Sequence, residues 1–228
     1  MSLENYFNYF TDIEEHFQRR RGTILLLSTL DWALIETWKD AGIPLEAVLR
    51  GIDSTFDKWE KRPSKTRKVN GLGFCAQEVL AAAEEMKEAE VGAARPAKPD
   101  STLPADEVAA YLERNAKLVD NSRAGLPHAV QQLATETAAT LRDLATHSSP
   151  NFEDLERRLT VLEDKLLAAL LAATPDEAII AARADADREL AAYRRTMSAA
   201  QIAQLLKQYV YKRLLERYAL PRLSLFYM

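Results

Sequence analysis

The chain has 228 residues, of which 47% are hydrophobic and 28% charged, with a net charge of -4. This length and apolar fraction exclude a globally disordered chain and leave room for one large domain or two smaller ones. The acid excess excludes a general attraction to nucleic acid, so any such contact must be a local patch, and the single cysteine, Cys75, excludes an internal disulfide framework and a cysteine-based zinc site.

Few glycines, much alanine and the lack of sustained apolar–polar alternation predict an all-α fold. The chain opens with Glu4, Tyr6, Phe7, Tyr9 and Phe10, the opposite of a secretory leader. Its longest apolar run, Leu166 to Ala173, has eight residues and is too short to span a bilayer. A soluble, cytoplasmic protein is expected.

A first helix is predicted from about Leu3 to Arg21, because Tyr6, Phe10, Ile13 and Phe17 recur at spacings of three and four. Arg19, Arg20 and Arg21 fill its last turn, and Gly22 ends it. Cations there complement the helix dipole, which is one reading of the triplet; phosphate contact is the other. Ile24 to Leu27 is a short apolar run, either extended or a buried connector.

The chain is organised around Leu25 to Trp59, read as two helices and a tight turn. Ser28 with Asp31 three residues later forms a capping box, with Asp in the usual Glu place. Gly42 stops that helix, and Pro44 is placed in the first turn of the next. Leu45, Val48, Leu49, Ile52 and Phe56 give the second helix a buried stripe, and Gly51 permits close packing by a neighbour. Arg50 lies within this helix. Lys58, Lys61, Arg62, Lys65, Arg67 and Lys68 then make the most basic window of the chain, with Glu60 as its one acid. It is either a solvated basic loop or a phosphate contact. Phe74 to about Ala89 is a helix with Val79, Leu80 and Met86 inward. Cys75 near its start reads as a small core residue.

Residues 1–91 are thus an N-terminal four-helix module, and 92–104 a Pro-rich linker. Residues 105–228 form a C-terminal bundle of about five helices. Phe152, Leu155, Leu159, Leu162 and Leu166 form a bundle seam. Thr174 as cap, Pro175 in the first turn and a capping box with Glu177 open the following helix, which is read to about Met197, and Ser198 with Gln201 boxes the last one. After Pro221 comes an apolar tail, Leu223, Leu225, Phe226 and Tyr227. It should dock on the bundle, on the N-terminal module or on a partner protein.

No phosphate loop, dinucleotide fingerprint, zinc-protease motif or nucleophile elbow is present. His16, His128 and His147 are scattered. No catalytic residue, metal ligand or cofactor is assigned. The two helices around Gly42 have the layout of a helix-turn-helix, although the second opens with Leu45, Glu46, Ala47 and Val48 and lacks base-reading side chains.

Three stretches, ENYFNYF, LLLSTLDWALIETWKDAGIPLEAVLRGID and VNGLGFCAQEV, together with the closing PRLSLFY, resemble an uncharacterised bacterial family, which implies no site. More distantly, Leu27, Ser28, Asp31, Leu34 or Ile35 and Trp38, followed by an apolar helix, resemble the DnaD-type replication-restart domain over residues 27–60. That family's tyrosine- and tryptophan-containing motif is not found after Lys68, so no binding residue is carried over. The expectation is a non-enzymatic accessory protein. DNA is the partner expected at Arg19, Arg20, Arg21, Arg50, Lys58, Lys61, Arg62, Lys65, Arg67 and Lys68, and proteins at the bundle and tail. The alternatives are a purely protein-binding scaffold and an enzyme whose carboxylates converge in the fold.

Overall fold

The computed structural model describes residues 8–23, 26–63, 68–90, 104–147, 151–195 and 197–228. The predicted start of the first helix, Ile24 and Leu25 of the apolar run, Lys65, Arg67 and nearly all of the linker lie outside them. All regular structure among the described residues is helical, so the fold is all-α. The helices are α1 Tyr9–Arg21, α2 Thr29–Asp40, α3 Leu45–Glu60, α4 Ala76–Glu90, α5 Ala105–Ser122, α6 His128–Thr146, α7 Phe152–Ala173, α8 Asp176–Leu190 and α9 Ala199–Arg217. Short 3-10 turns occur at Leu72–Phe74, Arg123–Gly125 and Leu225–Tyr227.

The chain divides into two compact units. Unit 1 holds residues 1–99 and 183–209; unit 2 holds 100–182 and 210–228. The unit boundaries therefore fall within α8 and α9, and part of the stretch read as bundle belongs to unit 1.

In unit 1 the local signals act as read. Gly22 ends α1 in the left-handed region, at φ 71°, and donates to the Gln18 carbonyl at 2.9 Å. Both halves of the Ser28–Asp31 capping box are formed. Gly42 also takes a positive φ, of 70°. Pro44 is the cap of α3 and not its first helical residue, because its own carbonyl accepts the first helical bonds, from Ala47 and Val48. Tyr9, Phe10, Ile13 and Phe17 of α1 are buried with Val48, Ile52 and Phe56 of α3. Each such side chain contributes roughly 1.5–3 kcal/mol on leaving water. Gly51 lets α4 come close, since a Cβ there would lie 2.5 Å from the backbone N and Cα of Val79. From the later part of the chain, Ala186, Leu190, Leu205 and Tyr209 add to this core. Gln208 and Gln204 donate to Asp40 at 2.8 and 3.3 Å.

In unit 2 the buried stripe of α7 is Leu155, Leu159, Glu163, Leu166, Leu167 and Leu170. Glu163 takes the place expected of Leu162, which is half-exposed. The helix that follows departs from the reading at both ends. The Thr174 hydroxyl lies 3.0 Å from the Tyr218 hydroxyl instead of capping α8, and α8 ends at Leu190, not near Met197. The Ser198–Gln201 box is formed, with bonds of 2.8 and 3.3 Å.

Candidate nucleic-acid interface

The candidate cations of unit 1 stand on the last turn of α1, on α3, and on the segments that follow α3. The end of α1 is tied to both of the others. Arg20 lies 2.6 Å from Asp57, 3.5 Å from Asp53 and 3.7 Å from Glu60, with its guanidinium over the Phe56 ring at 5.5 Å. The bond that Arg20 donates to Asp57 holds it still more firmly in its charged form. Arg21 donates to the Asn70 carbonyl at 3.2 Å and lies over the Phe17 ring at 5.1 Å. His16 Nε2 is 2.9 Å from Asp53 Oδ1, a second tie between α1 and α3. These ties hold Lys61 and Arg62, next along the chain from Glu60, and Lys68, two residues before Asn70, to the same end of unit 1.

The cations then separate by environment. Lys58 is 2.6 Å from Glu78, which also accepts from Ser54 at 2.9 Å. The Lys58 bond holds Glu78 below the usual carboxylate range. Arg50 pairs with Glu46 one turn away on an exposed face. At Arg20, Arg50 and Lys58 an acid is already in place, which lowers what a phosphate could gain there. Arg19, Lys61, Arg62 and Lys68 are exposed and make no ion pair among the described residues. Lys65 and Arg67 lie outside the described residues.

Of the acids around Arg20, the sequence reading singles out Glu60 alone, as the one acid of the basic window, although a signal for the other two is there. Asp53, Asp57 and Glu60 recur at i, i+4 and i+7, one face of a helix. What the spacing could not show was that Arg20, on another helix, fills that face.

The tail residues are corrected. Leu223 and Leu225 are 0% exposed and Phe226 is 2% exposed, so they are core side chains of unit 2 and offer no surface to a partner. Tyr227 is half-buried, with the Arg222 guanidinium 5.2 Å from its ring centre. The physical reason is that unit 2 satisfies the tail backbone as well as its side chains. Glu163 accepts from the Leu223 N–H at 2.8 Å, and Glu156 accepts from the Leu225 N–H at 2.8 Å and the Ser224 hydroxyl at 2.7 Å. The single Tyr111 hydroxyl proton is shared between the carbonyls of Ser224 and Arg222, at 2.6 and 3.0 Å. Of the three docking places open to the tail, the bundle is the one used.

Among the described residues, no group of three or more His, Cys, Asp or Glu side chains is arranged to hold a metal ion. No helix among them is long and apolar enough to cross a membrane.

A family model described as an uncharacterised protein matches residues 8–95. Comparison with curated proteins and with solved structures gives no match. The matched stretch runs from α1 through α4 and contains all ten candidate cations but none of the tail. Over these residues the chain is similar to a family described only as an uncharacterised protein.

Proposed function

We propose that this chain is a non-enzymatic accessory protein whose unit 1 contacts the phosphate backbone of DNA through the joined ends of α1 and α3. The observation that carries this reading is the tie of Arg20 and Arg21 to Asp57, Glu60 and Asn70. It gathers the exposed cations Arg19, Lys61, Arg62 and Lys68 at one end of a protein that is acidic as a whole. Base reading by the start of α3 has no support. Leu45, Ala47 and Val48 are buried, and Glu46 is engaged by Arg50. The helix-turn-helix layout around Gly42 and the distant DnaD-type likeness therefore enter as scaffolding for a contact of low sequence preference.

The test is binding to labelled single- and double-stranded DNA across a salt series. The wild type is compared with a variant carrying Arg19, Lys61, Arg62 and Lys68 changed to Ala. Affinity for duplex should fall with salt at a slope of about 0.9 per phosphate contact, and the variant should have the shallower slope. No binding at low salt, or equal slopes, would overturn the reading.

A protein-binding scaffold is the second reading, and one observation favours it. Between α6 and α7 of unit 2 lies an open groove of about 360 Å³, floored by Leu144, Val161 and Leu162 and rimmed by Asp143, Arg157 and Arg158. Val161 is 46% exposed there. An apolar floor between charged rims suits an amphipathic helix.

A further inference from the structure

The turn that follows the basic window closes over the start of α2. Asp31, 5% exposed, accepts from the Leu72 N–H at 2.7 Å and from the Ser28 N–H and hydroxyl at 3.1 and 2.9 Å. Gly71 and Gly73 flank Leu72. Neither needs glycine for its backbone, because among the described residues the glycines at positive φ are Gly22 and Gly42. What these two need is space. A Cβ on Gly73 would stand 2.7–2.8 Å from ring carbons of Tyr193. One on Gly71 would stand 3.2 Å from the Tyr193 hydroxyl and 3.0 Å from Asp31 Oδ1. Real Cβ atoms do not approach a rigid ring that closely, so two missing side chains make a recess and Tyr193 fills it.

The fit has further walls. Phe74 meets the Tyr193 ring edge-on, 5.1 Å between centres at 76°. Cys75, the next residue, is fully buried. Burial pushes the Cys75 thiol up to about 12 and the Tyr193 hydroxyl likewise up to about 12. The Cys75 thiol, which also has a hydrogen bond with the Thr55 side chain, is thus held neutral in a buried site. Tyr193 itself stands on the connection between α8 and α9, within residues 183–209 of unit 1. The family match ends at residue 95, so it supplies the recess but not the tyrosine.

We propose that the Gly71–Leu72–Gly73 turn is a docking notch for a tyrosine, that residues 183–209 are its resident ligand, and that Tyr193 is the latch closing the compartment around Asp31 and Cys75. Opening the latch removes the ring that packs against Phe74 and uncovers the Cys75 thiol. It also loosens the turn next to Asn70, the residue by which Arg21 ties this turn to α1. The latch does not depend on the DNA reading.

Cys75 is the only thiol in the chain, which makes it a built-in reporter. Its labelling by a thiol reagent under native conditions, on the full chain, measures opening. Tyr193→Ala empties the notch, Gly73→Ala makes the ring and the new methyl compete, and Tyr193→Phe keeps the ring. Gly125→Ala, where a Cβ would meet nothing within 4 Å, is the control. Tyr193→Ala and Gly73→Ala should label at least about tenfold faster with helix content retained, the change in rate that a shift of 1.4 kcal/mol in the opening equilibrium gives. Tyr193→Phe and Gly125→Ala should stay close to the wild type. Unchanged protection in Tyr193→Ala would overturn the latch. So would labelling that rises only in step with global unfolding in urea, because Tyr193 would then be an ordinary core residue.

Discussion

Each unit holds an irregular segment by its backbone N–H groups with carboxylates carried on a helix, and the two differ in how the buried charge is supported. In unit 1 the carboxylate is Asp31, in the first turn of α2, where the helix dipole and the Ser28 and Leu72 hydrogen bonds favour it. Arg21 is near enough to attract it, yet loss of water on burial outweighs this support and raises its pKa above the usual Asp value. In unit 2 the carboxylates are Glu156 and Glu163, within α7. Glu163 has the Arg222 guanidinium 3.0 Å away, beside the Leu223 N–H it also accepts. Asp31, at a helix start, has dipole and amide support with an arginine only nearby, whereas Glu163, inside a helix, has no such terminus and is paired directly with Arg222.

Glu163→Ala breaks this comparison most sharply. It leaves Arg222, whose side chain is 18% exposed, without its carboxylate and the Leu223 N–H without its acceptor. Losing one member of such a pair costs roughly 3–5 kcal/mol, read as a lower urea midpoint for unit 2. Glu163→Gln keeps an acceptor and should lose less. A cost below about 1 kcal/mol for the alanine variant would mean the tail is held by its apolar side chains alone.

Within unit 1 the larger effect falls on packing. Gly51→Ala drives a methyl into the α4 backbone at Val79, which cannot rotate away, and should cost about 3 kcal/mol. A near-neutral result would show that α3 and α4 can slide apart.

Asp31→Ala is next, at about 2 kcal/mol, from an orphaned Leu72 N–H and a lost cap. Asp31→Asn tests what the charge itself does. A raised pKa means that the folded state holds the proton more tightly than the unfolded state. Asp31's contribution is therefore fully present below its ordinary value and declines as pH rises through its folded value. Asp31→Asn should remove that decline. Glu78 runs the other way, because its pKa is lowered by Lys58. Its contribution is present above the ordinary Glu value and is lost as pH falls through the folded one. Stability curves of the Asp31→Asn and Glu78→Gln variants against pH should thus differ from the wild type in opposite directions across the carboxylate range.

The smallest effect belongs to Ala219, just beyond α9, which sits at φ 50° where glycine is favoured. Ala219→Gly should stabilise unit 2 by about 0.5–1 kcal/mol, part of the relief being offset by the extra freedom of glycine when unfolded. A loss of stability would show that the alanine methyl makes a contact worth more than the strain.

What the sequence revealed follows the range of each interaction. The Ser28–Asp31 and Ser198–Gln201 boxes and the helix stops at Gly22 and Gly42 each rest on a few neighbouring residues and were legible, and a glycine inside a helix pointed to a close approach at Gly51 without naming Val79 as the neighbour. Glu163 was not, because its partner Leu223 lies 60 residues away, with Arg222 just before it, and a lone Glu on an otherwise apolar stripe gives no hint of them. Nor was Tyr193, whose notch is built by glycines in the first half of the chain. At the candidate interface the basic window could be read directly. Which cations keep their charge free could not, since that depends on Asp53, Asp57 and Glu60 meeting Arg20 across two helices.

The most direct measurement is hydrogen exchange along the full chain with and without duplex DNA at low salt. If the joined ends of α1 and α3 contact phosphate, protection will rise around Arg19–Arg21, Lys58–Arg62 and Lys68–Leu72 and leave α6 and α7 unchanged. Protection confined to the α6–α7 groove, or no change anywhere at concentrations that saturate binding, would contradict the assignment of DNA contact to unit 1.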